Sequence, residues 1–144
     1  MHNRSRRVLI LNSDPEALIE LQRVFEGAGI DTTITWDDSE ACRLLGTKRF
    51  DLMILGDHPP EVDAAAFMQD RSYIGPCPPV LILRTTVRDK DLGFFRTLGA
   101  IGVVPKRDIM VVLERAMKAM APMRFDVSAD KDCSARTRTW RAAS

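Results

Sequence analysis

Residues 50–67 read FDLMILGDHPPEVDAAAF. Leu52–Leu55 is a short unbroken apolar run, and a polar turn with two prolines follows it at once. A run of four to eight apolar residues closed by turn residues is what a strand buried on both faces of a parallel sheet looks like. The weaker periodic segment after the turn predicts a short helix over roughly 62–70. The same strand-like signal recurs at Val8–Leu11, Ile30–Thr35, Val80–Leu83 and Ile101–Val104.

Amphipathic segments separate these runs. Pro15 suits a first helical turn, with Ser13 or Asp14 as the cap. Leu18, Leu21, Val24 and Phe25 then share one face, and Gly27 and Gly29 offer the stop. Asp37 or Asp38 can cap a second helix through Ala41, Leu44 and Leu45, which Gly46 is expected to close. A fourth helix carries Leu92, Phe95 and Leu98 and stops at Gly99. The fifth has one stripe of Ile109, Val112, Leu113, Ala116, Met117 and Met120. Five alternating strands and helices predict an α/β fold, a three-layer (βα)5 doubly wound parallel sheet. In such sheets the site lies outside the carboxyl ends of the strands. That selects Asn12–Asp14, Trp36–Asp38, Gly56–His58, Arg84–Thr86 and Pro105–Arg107.

Composition bounds the rest. The chain has 144 residues, 45% hydrophobic and 28% charged, enough for one domain with a core. Residues 1–120 are expected to form it, with 121–144 as a basic tail or linker. Residues 8–120 hold 13 basic and 17 acidic residues, a net of −4, which disfavours nucleic acid as a partner of the body. The tail, with five basic and three acidic residues, is net +2. No apolar run approaches a membrane span or a signal-peptide core, so a cytoplasmic protein without membrane contact is expected. Cys42, Cys77 and Cys133 form no CxxC pair, which argues against zinc, dithiol and disulfide chemistry. The phosphate-binding patterns GxGxxG and GxxxxGK[ST] are absent, as is the nucleophile elbow GxSxG that would make His58 a catalytic candidate.

RRVLILNSDPEAL (residues 6–18), the opening 50–67 stretch, PPVLILRTT (78–86) and LGAIGVVPK (98–106) stand in an order and spacing that resembles the receiver domain of two-component response regulators. The resemblance covers about residues 7–120, with Pro60 and Asp63 in the family's Pro and Asp positions. It implies the flavodoxin-like receiver topology and a site of acidic residues, a switch hydroxyl and a lysine. Here the acidic pair after the first strand reads Asn12 and Ser13, followed by Asp14. The phosphoacceptor position reads Gly56, the switch Thr or Ser reads Arg84, and the aromatic of the fifth strand reads Val103. Lys106 keeps the site lysine, but Arg107 replaces the proline after it. Magnesium ions need hard anionic oxygens, and this pocket lacks them, so no metal, no cofactor and no catalysis are expected.

The resemblance thus implies a degenerate receiver that signals by protein contact, with a histidine kinase, an output domain or a second copy as partner. The family's output face would draw on Phe94, Arg96, Val103, Arg107, Met110, Val111 and Arg115. Two alternatives stand beside it. Asp57, one residue beyond the acceptor position, could take the phosphoryl group, or could be a loop carboxylate pairing with Lys106 or capping the next turn. Arg84 and Lys106 could bind an anion, or could each pair with a local acid such as Asp14 or Asp57.

Overall fold

The computed structural model describes residues 6–59, 61–70 and 78–121. Cys77, Cys133, Pro60 and the expected tail from residue 122 onward, Trp140 included, lie outside them. Five strands alternate with five helices: β1 Arg7–Leu11, α1 Pro15–Gly27, β2 Asp31–Thr35, α2 Asp38–Thr47, β3 Leu52–Gly56, α3 Ala64–Asp70, β4 Val80–Arg84, α4 Asp89–Thr97, β5 Gly102–Pro105 and α5 Ile109–Ala119. All pairings are parallel, in the order β2-β1-β3-β4-β5. The expected α/β doubly wound sheet is the observed one.

Alternation along the strands divides the core in two. Leu9, Leu11, Met53, Leu55 and Ile82 face a layer built by Ala41, Leu44, Phe67 and Phe95 of α2, α3 and α4. Val8, Ile10, Leu52, Ile54, Leu81 and Leu83 face Leu18, Leu21, Phe25, Val112 and Ala116 of α1 and α5. Burial of both faces explains the unbroken apolar runs.

The helix ends show which local signals held. Asp14 caps α1 by accepting from the Glu16 N–H at 3.1 Å, and Asp37 caps α2 by accepting from the Ser39 N–H at 3.2 Å. Gly29 and Gly99 take positive φ, the left-handed stops expected of them. Gly46 does not close α2. The helix runs on to Thr47, whose hydroxyl donates to the Arg43 carbonyl at 2.9 Å, and extended Lys48 ends it. α3 begins at Ala64, not Val62. Val62 instead pairs its backbone with His58 in both directions, closing the loop between them.

Two side chains assigned to apolar stripes face water. Leu92 of α4 and Met117 of α5 are exposed, and Asp91 takes the buried place beside Phe95. No helix among the described residues is long and apolar enough to cross a membrane.

Candidate functional site at the strand ends

Backbone hydrogen bonds carry the sheet one residue past its strands and fix the rim. The Asn12 N–H donates to the Thr35 carbonyl at 3.1 Å, the Asp57 N–H to Leu83 at 2.8 Å, and the Lys106 N–H to Arg84 at 2.9 Å. Asn12, Gly56, Asp57, Arg84 and Lys106 are therefore held on rigid elements at the switch point in strand order.

At the ends of β1 and β3 the site is neutral. Asn12 is only 1% exposed, and its side-chain oxygen accepts from the Asp14 N–H at 3.0 Å. Its Nδ2 lies over Gly56: a Cβ on Gly56 would stand 2.7 Å from that nitrogen and 2.8 Å from Cγ. Real atoms do not approach so closely, so the Asn12 amide and the missing side chain at 56 are complementary. Asn12 Nδ2 has no hydrogen-bond partner. Ser13 is half-buried. Asp14, counted by sequence among the pocket's charges, is exposed, and its Oδ1 makes the α1 cap.

At the ends of β3 and β4 the site is charged and closed. Arg84 Nε lies 3.1 Å from Asp57 Oδ2, and Arg84 Nη1 lies 3.1 Å from Asp91 Oδ1. Asp57 Oδ1 accepts from the Ala64 N–H at 3.0 Å, the first residue of α3. Asp91 Oδ2 accepts from the Arg88 N–H at 2.7 Å, just before α4. Each of the four carboxylate oxygens thus has a donor. The guanidinium carbon also sits 5.9 Å from the centre of the Phe95 ring, within cation–π range. One arginine ties β4 to the β3–α3 loop and to the first turn of α4.

Asp57 makes one of the two contacts expected of a loop carboxylate. It caps the next helix and pairs with Arg84 in place of Lys106. Arg84 and Lys106 are backbone neighbours, but the guanidinium turns to the two acids. Lys106 is half-buried, and the ion pairs of the rim run through Arg84. The residue missed by sequence is Asp91. Its signal was its place four residues before Phe95, on the same helix face.

The receiver fold implies Mg²⁺, and the residues present do not fit it. Asn12 and Ser13 offer neutral oxygens, Asp14 caps a helix, and Asp57 is neutralised by Arg84. Among the described residues no three His, Cys, Asp or Glu side chains are grouped to hold a metal ion. His58 is exposed, and its Nε2 lies 3.9 Å from Glu61 Oε1.

On the expected output face, Phe94, Arg96, Arg107, Met110 and Arg115 are exposed and Val111 is half-buried. Val103 does not belong there: it is buried, on the side of β5 that packs with Phe95. Phe94 meets Phe95 edge to face, with centroids 5.0 Å apart. Cys42 is half-buried on α2. Burial first, then the charges of Asp38, Asp70 and Asp37, raise its pKa above the usual thiol value.

No protein-family model matches the sequence, and no curated protein matches it. Solved structures do. The receiver domain of the Francisella response regulator 1452 is similar with a TM-score of 0.72 and 23% identity, over 81% of this chain and 97% of that one. The Vibrio cholerae chemotaxis protein CheY4 is similar with a TM-score of 0.73 and 18% identity, over 81% and 99%. HP1043, an orphan response regulator of H. pylori, is similar with a TM-score of 0.66 and 19% identity, over 81% and 97%. With this sheet order and these neighbours, the chain has the fold of the response-regulator receiver domains.

Proposed function

We propose that this chain is a signal-transduction module of receiver type that acts by docking to protein partners and takes no phosphoryl group. The observation that carries the reading is the closed Arg84–Asp57–Asp91 network. Phosphoryl transfer needs an in-line nucleophile and cations that neutralise developing charge. Gly56 supplies no nucleophile, and Asn12 occupies the space above it. Asp57 is the remaining carboxylate, but both of its oxygens are engaged and Arg84 stands where a switch hydroxyl would be. The fold shared with response regulators, one of them an orphan, supports the signalling role.

A phosphoryl group can shift a conformational equilibrium only by binding one state better than the other. Here Arg84 already joins the loop before α3 to α4, so the face beyond α4 is set without it. That face offers Phe94 and Met110 among arginines, the residue types enriched in the cores of interfaces. A histidine kinase, an output domain or a second copy would meet it there.

The test is intact-protein mass spectrometry after incubation with acetyl phosphate and Mg²⁺. The expected result is no phosphate-sized mass gain. A gain abolished by Asp57→Asn would favour the alternative in which Asp57 is the acceptor.

A further inference from the structure

The two edges of the sheet carry opposite charge. β2 forms one edge, with α1 and α2 beside it, and β5 forms the other, with α4 and α5 beside it. Between residues 14 and 43 the exposed charges are eight carboxylates and two arginines, a net of −6. Between residues 88 and 118 they are six basic and three acidic side chains, a net of +3. Five strands at about 4.8 Å spacing set the edges roughly 20 Å apart, about two Debye lengths at physiological salt. A partner touching one edge therefore feels mainly that edge.

Each edge also holds apolar side chains in water. Trp36, 65% exposed, stands on the turn from β2 to α2 beside Asp37 and Asp38, and Ile19 of α1 is 54% exposed. On the other edge Phe94 of α4 is 51% and Met110 of α5 66% exposed, and Met110 lies between the exposed Arg107 and Arg115 in sequence. An apolar centre rimmed by charge is the make-up of a protein interface, and each edge has the complement of the other.

We infer that the acidic β2 edge of one copy docks on the basic β5 edge of a second copy, head to tail. A symmetric contact would set +3 against +3 or −6 against −6. The head-to-tail contact sets −6 against +3 and gives Trp36 a guanidinium for its ring face. Such a contact is heterologous. Each pair keeps one free edge of each kind, so growth continues to a ring or a chain. The inference rests on the reading of the β5 edge as a docking face and adds its partner.

Sedimentation velocity of the full chain tests it, on samples shown by intact mass to be unmodified. The two double variants are Glu20→Lys with Asp38→Lys, and Arg107→Glu with Arg115→Glu. All four positions are exposed and outside the rim network. The wild type should pass beyond dimer as concentration rises at low ionic strength and return to monomer in high salt. Each double variant alone should associate at least about tenfold more weakly, because the attraction of −6 for +3 falls to −2 against +3 in the first and turns to −6 against −1 in the second. An equal mixture of the two should regain association, since each supplies the edge the other lost, and Trp36→Ala should weaken the wild type. A wild type that stays monomeric at low salt, a Glu20→Lys/Asp38→Lys variant that associates like wild type, or a mixture that stays monomeric would overturn the inference. A wild type that associates only after gaining a phosphate would overturn the underlying reading instead.

Discussion

The two halves of the rim handle the same loss differently. At the ends of β1 and β3 the charges are gone, and Asn12 fills the volume over Gly56. At the ends of β3 and β4 charge remains but is satisfied internally, with Arg84 holding Asp57 and Asp91. The first half is a packing solution, in which a side chain replaces a side chain. The second is an electrostatic solution, in which a cation of the chain stands among its own carboxylates. In the second half every carboxylate oxygen of Asp57 and Asp91 already has a donor.

The comparison breaks most visibly if the electrostatic half is opened. Arg84→Thr leaves two buried carboxylates without their cation. Losing one partner of a buried pair costs about 3–5 kcal/mol, and the partial exposure of Arg84 lowers that to about 2–4 kcal/mol. Denaturant unfolding should show this loss. Adding Asp57→Asn and Asp91→Asn to Arg84→Met should recover most of it, because no charge is then orphaned. A fully stable Arg84→Thr variant would mean that the network is incidental.

The packing half is probed by Gly56→Ala. The new methyl meets buried Asn12, so a loss of about 1–3 kcal/mol is expected. Asn12→Ala removes the obstacle, and the double variant should be more stable than the sum of the two singles predicts. Additive effects in that cycle would contradict the close approach.

Smaller effects distinguish scaffold from surface. Asp14→Ala should cost about 1 kcal/mol as a lost helix cap, with no change in metal response. Phe94→Ala should cost less than about 0.5 kcal/mol, since its neighbour Phe95 carries the burial. Last, Cys42 should alkylate more slowly at mildly alkaline pH than an unperturbed thiol, read by mass on its own peptide. Its pKa is raised in the folded state, so the stability it contributes is complete below the unfolded thiol pKa and is lost as pH rises through the folded one. Alkylation at the rate of a free thiol would contradict the burial.

The sheet was legible because parallel strands buried on both faces leave continuous apolar runs, and these need no knowledge of partners. Gly56, Asn12 and Arg84 were legible as departures from a pattern. Asp91 was not. The apolar residue Leu92 drew the α4 stripe through 92, 95 and 98, whereas the inward face runs through 91, 95 and 98. A buried acid on that face makes sense only once β4 brings Arg84 to it, and that is a tertiary fact. Val103 misled for a similar reason: its place on a face depended on the side of β5 it occupies. Gly46 suggested a helix end by type alone, although the stop depended on the extended backbone of Lys48.

The most direct test of an internally satisfied rim is the amide ¹H–¹⁵N spectrum of the full chain, recorded during titration with Mg²⁺ and then with acetyl phosphate. The amides of Asn12, Ser13, Asp14, Gly56, Asp57, Arg84 and Lys106 should keep their positions, and those of α4 should not move. Saturable shifts at Asp57 and Arg84 that spread to Phe94 and Phe95 would contradict the account, because they would mean that an added ligand opens the network and repositions the docking face.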